Sequence, residues 1–109
     1  MKFIASLKGN PDVTTRVAVT DVVQYFAAAI YSKDNHPAVS ALITCEENAI
    51  RFAFGTDPTQ GVGAVGHILY AGQAIQLSNS YAIRQFRFIN ETAQTDAVLQ
   101  ITAEFEIGG

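Results

Sequence analysis

AVLQITAEFEI, residues 97–107, places Ala97, Leu99, Ile101, Ala103, Phe105 and Ile107 on one side of an extended chain and Val98, Gln100, Thr102, Glu104 and Glu106 on the other. Period two is the pleat of a strand with one apolar face and one mostly polar face. Two further stretches repeat it. In IRFAF, Ile50, Phe52 and Phe54 share a face and Arg51 takes the other; in RQFRF, Phe86 and Phe88 point inward with Arg84 on their side at the strand's mouth. The expected core is therefore aromatic.

Further strands are predicted at 3–7, 13–19, 39–45, 67–70 and 74–77, separated by GNPD, KDNHP, EEN, GTDPTQG, YAGQ, SNS and NETAQTD. Many short strands with Gly, Pro, Asn and Asp between them favour an antiparallel sandwich or a jelly-roll-like barrel over βαβ units. One segment reads two ways. TDVVQYFAAAIYSKDN has an N-cap candidate at Thr20 or Asp21, apolar residues at Val22, Val23, Phe26 and Ile30, and three alanines in a row, which suits a helix. Its Val, Tyr and Phe also suit a strand. The expected fold is mainly β, one domain over residues 1–109, with at most one short helix near 21–31.

With 109 residues, 49% of them hydrophobic, the chain has material for one core. Charged residues are only 16%, against roughly 25% in an ordinary soluble domain. Low charge favours association, and interface cores are depleted in charge, so partner subunits are expected to cover part of the exterior. The net charge of −3 and the lack of any Lys or Arg run disfavour nucleic acid as a partner. The apolar stretch in MKFIASLKGNPD is too short for a signal peptide, and no stretch approaches the roughly 20 apolar residues of a membrane helix. A single cysteine, Cys45, rules out an internal disulfide and fits a reducing compartment.

GVGAVG, residues 61–66, matches the G-x-G-x-x-G string of a dinucleotide cradle. That site needs a helix opening at the third glycine and an acid about 20 residues on. Here HILYAG follows, Gly72 stops any helix within two turns, and Glu91 comes late in a turn-like stretch. The glycines are instead expected to shape a long connection or to admit a second backbone. Asp57 and Pro58 make GTDPT a turn, and Asp57 is expected to brace Arg51 across it.

Other candidates for chemistry read as architecture. His36 and His67 have no metal-ligand spacing to each other or to Cys45, and Cys45 in ALITC reads as a small buried hydrophobe. Glu46 and Glu47 fit a solvated hairpin tip. Glu104 and Glu106, about 7 Å apart on one strand face, have the spacing of a carboxylate dyad but are better explained as the exposed face of an edge strand. No catalytic residue, cofactor or metal is expected. In a ligand- or glycan-binding sandwich, Tyr31, Tyr70 or Tyr81 would be the stacking platform.

From about Ala41 onward the order of features resembles a family of small virion structural proteins of tailed bacteriophages. The matching run is ALITCE, IRFAF, GTDPT, VGHILYAG, AIQL, AIRQFRFIN and AVLQITAEF; its most specific parts are Arg51, Gly55, Pro58 and Thr59, then Gly66, Leu69 and Gly72. The resemblance implies a non-enzymatic β-sandwich or barrel-like domain, made in the host bacterial cytoplasm and assembled on the virion as a homo-oligomer, a dimer or trimer. Capsid decoration across the major capsid protein is the first role it implies, and a tail or head-tail component the alternative. Gly63 and the first forty residues fall outside the matching pattern. Tyr25, Phe26, Ile30 and Tyr31 in YFAAAIY are the expected subunit seam, with packing on the chain's own sheet as the equal alternative.

Overall fold

The computed structural model describes residues 9–106. Nine strands and two short helices follow one another: β1 Asn10–Val19, β2 Gln24–Tyr25, α1 Ala28–Tyr31, β3 Ser32–Lys33, β4 His36–Glu47, β5 Ile50–Phe54, β6 His67–Leu69, β7 Ala74–Leu77, α2 Ser80–Gln85, β8 Phe86–Asn90 and β9 Ala97–Phe105. They form two antiparallel sheets. The larger runs β1-β9-β4-β3 with β7 also on β4, and the smaller runs β2-β8-β5-β6. The fold is a mainly antiparallel β-sandwich, as the alternation predicts. The predicted strand over 3–7 lies outside the described residues.

Register fixes the faces. Thr15, Ile101, Ile43 and Ile75 lie in one row across the large sheet, and Val17, Leu99 and Cys45 in the next. Directly paired residues share a face, and these rows look inward, where Ile43, Leu99, Ile101 and Cys45 are buried. From the small sheet Ile50, Phe86 and Phe88 meet them, and Phe26 joins from the chain just after β2. Phe26 and Phe86 stack with centroids 5.3 Å apart, and Phe52 and Phe86 at 5.2 Å, so the core is aromatic as expected.

β9 is a central strand, flanked by β1 and β4. This corrects the edge-strand reading of Glu104. Glu104 is fully buried and its Oε1 accepts a hydrogen bond from the Gly9 amide at 3.1 Å, whereas Glu106 is exposed, so the two carboxylates are no dyad.

The segment 21–31 is part strand and part helix. Gln24 and Tyr25 pair with Phe88 and Arg87 as a strand, and only Ala28–Tyr31 is helical. Neither N-cap candidate caps a helix. The Thr20 hydroxyl accepts from the Val22 amide at 3.3 Å, and the Asp21 carboxylate is engaged elsewhere. A second helix, α2, occupies the start of the stretch read as the RQFRF strand. Its signal is Asn79, whose Oδ1 accepts from the Ala82 amide at 2.7 Å, with Ile83 buried one turn in. Arg84 consequently leaves the strand's mouth and lies over the Tyr31 ring, 5.8 Å from its centroid.

Two turns carry the chain between strands. Asp34 and Asn35, with φ of 51° and 64°, make the two-residue loop of the β3–β4 hairpin. The turn after β6 passes from the small sheet to the large one, pinned on both sides of Cys45: the Gly72 amide donates to the Cys45 carbonyl at 2.8 Å and the Cys45 amide to the Gln73 carbonyl at 2.9 Å.

Candidate functional site

The long β5–β6 connection, GTDPTQGVGAVG, is the largest departure from a bare sandwich. Pairing puts Arg51, Ala53, Arg87, Ile89 and Ile68 on the outer face of the small sheet, yet Ala53 and Ile89 are buried. The connection explains this by folding back over that face. Pro58 is fully buried. The loop closes on itself, with the Thr59 amide donating to the Val65 carbonyl at 3.0 Å and the Val65 amide to the Thr59 hydroxyl at 2.8 Å. At its start, the Gly55 amide donates to the Gln85 carbonyl at 3.0 Å.

The charged contacts of this flap correct the Arg51–Asp57 pairing expected from sequence. Asp57 takes Arg87, Nη1 to Oδ1 2.8 Å, one strand further along. Arg51 instead donates from Nη1 to the Gly66 carbonyl at 3.1 Å and lies with Nη2 3.5 Å from Glu91. The turn geometry was legible, but the partner of each charge depended on which strand sits beside β5, and that is a long-range fact. Arg51 has only 14% of its side chain exposed, whereas Asp57 has 64%. Exposed pairs contribute little and buried charges are costly to orphan, so Asp57→Ala is expected to cost under about 0.5 kcal/mol. Glu91→Ala is expected to cost about 1–3 kcal/mol, both measured by urea denaturation.

A polar junction with no local sequence signal ties the flap to the rest of the chain. Asp21 Oδ1 accepts from the Gln94 amide at 2.8 Å, from Asn90 Nδ2 at 3.1 Å and from Gln60 Nε2 at 3.2 Å. Gln60 also bonds the buried Asn90, at both its side-chain and backbone oxygens. One carboxylate thus joins the β1–β2 connection, the flap and the β8–β9 connection. The bond from the Gln94 amide, then those from Gln60 and Asn90, hold the Asp21 carboxyl below its ordinary value. A depressed pKa gives stability that is complete above the unfolded value, near 3.8, and is lost as pH falls through the folded one. Asp12, lowered by the Val13 amide and Lys33, acts in the same direction. Asp21→Asn is therefore expected to flatten, without abolishing, the acid limb of stability against pH below about pH 4.

Of the expected seam residues, Tyr25 is 71% exposed, Ile30 and Tyr31 are half-buried, and Phe26 is 4% exposed within the aromatic core. Phe26 thus packs within the chain's own core, the alternative to the seam. Tyr31, Tyr70 and Tyr81 do not gather into one platform. Tyr70 follows β6 at the Ile50 end of β5, and Tyr81 lines a groove at the Phe54 end. That groove, about 300 Å³, is bounded by Phe54, Gly55, Asn79, Tyr81, Ala82 and Gln85.

Cys45 is buried, with its Sγ 3.0 Å from the Asn48 carbonyl, and burial pushes its thiol up to about 11. The thiolate is the reactive form, so a disulfide reagent at pH 8 is expected to leave native protein unmodified and to label it fully only after denaturation. His36 and His67 are exposed, and His67 lies 5.4 Å from the Phe52 ring. No group of three His, Cys, Asp or Glu residues able to hold a metal occurs among the described residues, nor is any described helix long and apolar enough to cross a membrane. Comparison with protein-family models, with curated proteins and with solved structures returns no match.

Proposed function

We propose that this chain is a non-enzymatic structural protein of a phage virion, assembling as a homo-oligomer on the capsid. Its first role is decoration and stabilisation of the shell through the major capsid protein, with a tail or head-tail position as the alternative. The observation that carries the reading is the surface. Val13, Val22, Tyr25, Phe54, Val65 and Tyr81 stand exposed on a charge-poor exterior. Exposed aromatic side chains on a surface poor in charge suit contact with other proteins. The virion setting rests on the sequence resemblance from Ala41 onward, whose marked residues Arg51, Gly55, Pro58, Thr59 and Gly66 belong to the flap and its anchor and Gly72 to the turn pinned on Cys45.

The test is co-sedimentation of the purified chain with capsids of the phage that encodes it. Saturation at a fixed ratio to the capsid subunits is the expected result, and a chain left in the supernatant at every concentration overturns the reading. The groove between Phe54 and Tyr81 favours a second reading, a glycan- or ligand-binding module. In that case Tyr81→Ala would abolish binding to a glycan array and leave capsid co-sedimentation untouched.

A further inference from the structure

We propose that β1 is a self-pairing edge, along which two copies of the chain join antiparallel and merge their large sheets into one. This rests on the homo-oligomer reading above and specifies the surface and the partner. β1 is ten residues long and terminates the large sheet, and among the described residues no strand pairs with its outer side. Sheet edges are normally blunted by lysines, prolines, bulges or shortness. In β1 the irregular register lies between Pro11 and Thr14, and from Thr14 to Val19 the strand is regular.

The side chains of that regular run leave its edge open. Its one charge, Arg16, leans back across its own sheet, with Nε 3.9 Å from Glu46 and Nη2 3.8 Å from Glu47 on β4. The Thr14 hydroxyl is likewise turned back onto its own sheet, 2.7 Å from that of Thr102 on β9. Beneath the same edge the sandwich stays open, because the small sheet ends there in a two-residue strand and α1 has only four residues. A cavity of about 240 Å³ results, with Asp12, Val13, Thr15, Ala29 and Ile30 at its rim and the buried Ile101 and Ala103 as its floor. Val13 is 75% exposed. An added strand would satisfy the free backbone groups and bring alternate side chains over this opening, the two requirements of strand addition.

A second copy fits this edge by register and by area. Two-fold pairing about Thr15 keeps both inner faces on one side and sets Val13 against Val17 and Arg16 against Thr14 of the second copy. No like charges then face each other, as they would in pairing about Arg16. Pairing about Thr15 engages residues 11–19 of each copy, about 30 Å of edge. Combined with the 19 Å short axis of the molecule, it offers about 570 Å² per copy, or about 1,100 Å² in all, just above the roughly 1,000 Å² a specific interface should clear.

The test is the mass in solution by light scattering of the full chain, of Val13→Lys and Thr15→Lys, and of Val62→Lys, which adds the same charge on the exposed flap. The expected result is twice the chain mass for the unmodified protein and Val62→Lys, and the single-chain mass for the two β1 variants, with circular dichroism unchanged. Hydrogen exchange of the unmodified protein gives an independent reading: amides within 14–19 should slow at least tenfold between low and high micromolar concentration. A dimer that survives both β1 substitutions, an exchange rate independent of concentration, or a trimer, which two-fold pairing cannot close, overturns the edge assignment and leaves the homo-oligomer standing. A single-chain mass for the unmodified protein at every concentration overturns both.

Discussion

Phe86→Ala is expected to cost about 3–5 kcal/mol of stability, the largest effect of any single truncation among the described residues. Phe86 is fully buried at the start of β8. It is the ring through which the others connect: stacked on Phe26 and Phe52, edge-on to Phe54 with centroids 5.7 Å apart, and 5.7 Å from Phe88. Truncation removes the transfer energy of one ring and leaves a void bounded by four others, which cannot collapse without breaking strand register. Phe54, by contrast, is 43% exposed. Phe54→Ala is expected to cost a small fraction of this, and equal losses for the two variants in chemical denaturation would show that the aromatic cluster is not centred on Phe86.

Gly66→Ala is the second large effect expected, about 2–4 kcal/mol from backbone strain and overpacking together. At Gly66 φ is +124°, and a Cβ there would stand 2.9 Å from both the Phe52 carbonyl oxygen and Arg51 Cγ. Its own carbonyl is also the acceptor for Arg51. The neighbouring glycines of GVGAVG differ. Gly61 and Gly63 also have positive φ, but nothing lies within 4 Å of a Cβ at either. Gly63→Ala should therefore cost only the left-handed strain, about 1–2 kcal/mol. A thermal melt in which Gly63→Ala is as harmful as Gly66→Ala would contradict the placement of the flap on the sheet. The three glycines that spell a phosphate cradle thus divide into two that turn the chain and one that lets it rest on a strand.

Much of the sandwich could be read from the period-two pattern, because alternation reports directly on which face is buried. AVLQITAEF and AIQL became β9 and β7, and Cys45 took the buried position its alternation implies. What the pattern could not give was adjacency. Glu104 looked like an edge residue because alternation does not say whether a strand has one neighbour or two. Arg51 and Asp57, six positions apart, looked like partners until β8 brought Arg87 to one and the β8–β9 connection brought Glu91 to the other. Phe26 belonged to a stretch with both helix and strand propensity, and burial against two aromatic neighbours from β8, Phe86 and Phe88, decided its role. The Asp21 junction had no local signature, since Gln60, Asn90 and Gln94 lie far from Asp21 in the chain.

The same distinction separates the two halves of the functional account. In the proposed function the virion setting rests on the stretch that holds the flap and its anchors, while β1, the proposed self-pairing edge, lies within the first forty residues. Under that proposal the domain docks on the shell through one surface and pairs with its own copies through another.

Cryo-microscopy of the intact particle tests the central claim most directly. The account predicts symmetry-related density for this sandwich on the outside of the shell, in a fixed ratio to the capsid subunits, with neighbouring copies meeting along β1. Purified particles that carry no such density, and in which mass spectrometry finds no trace of the chain, would contradict it.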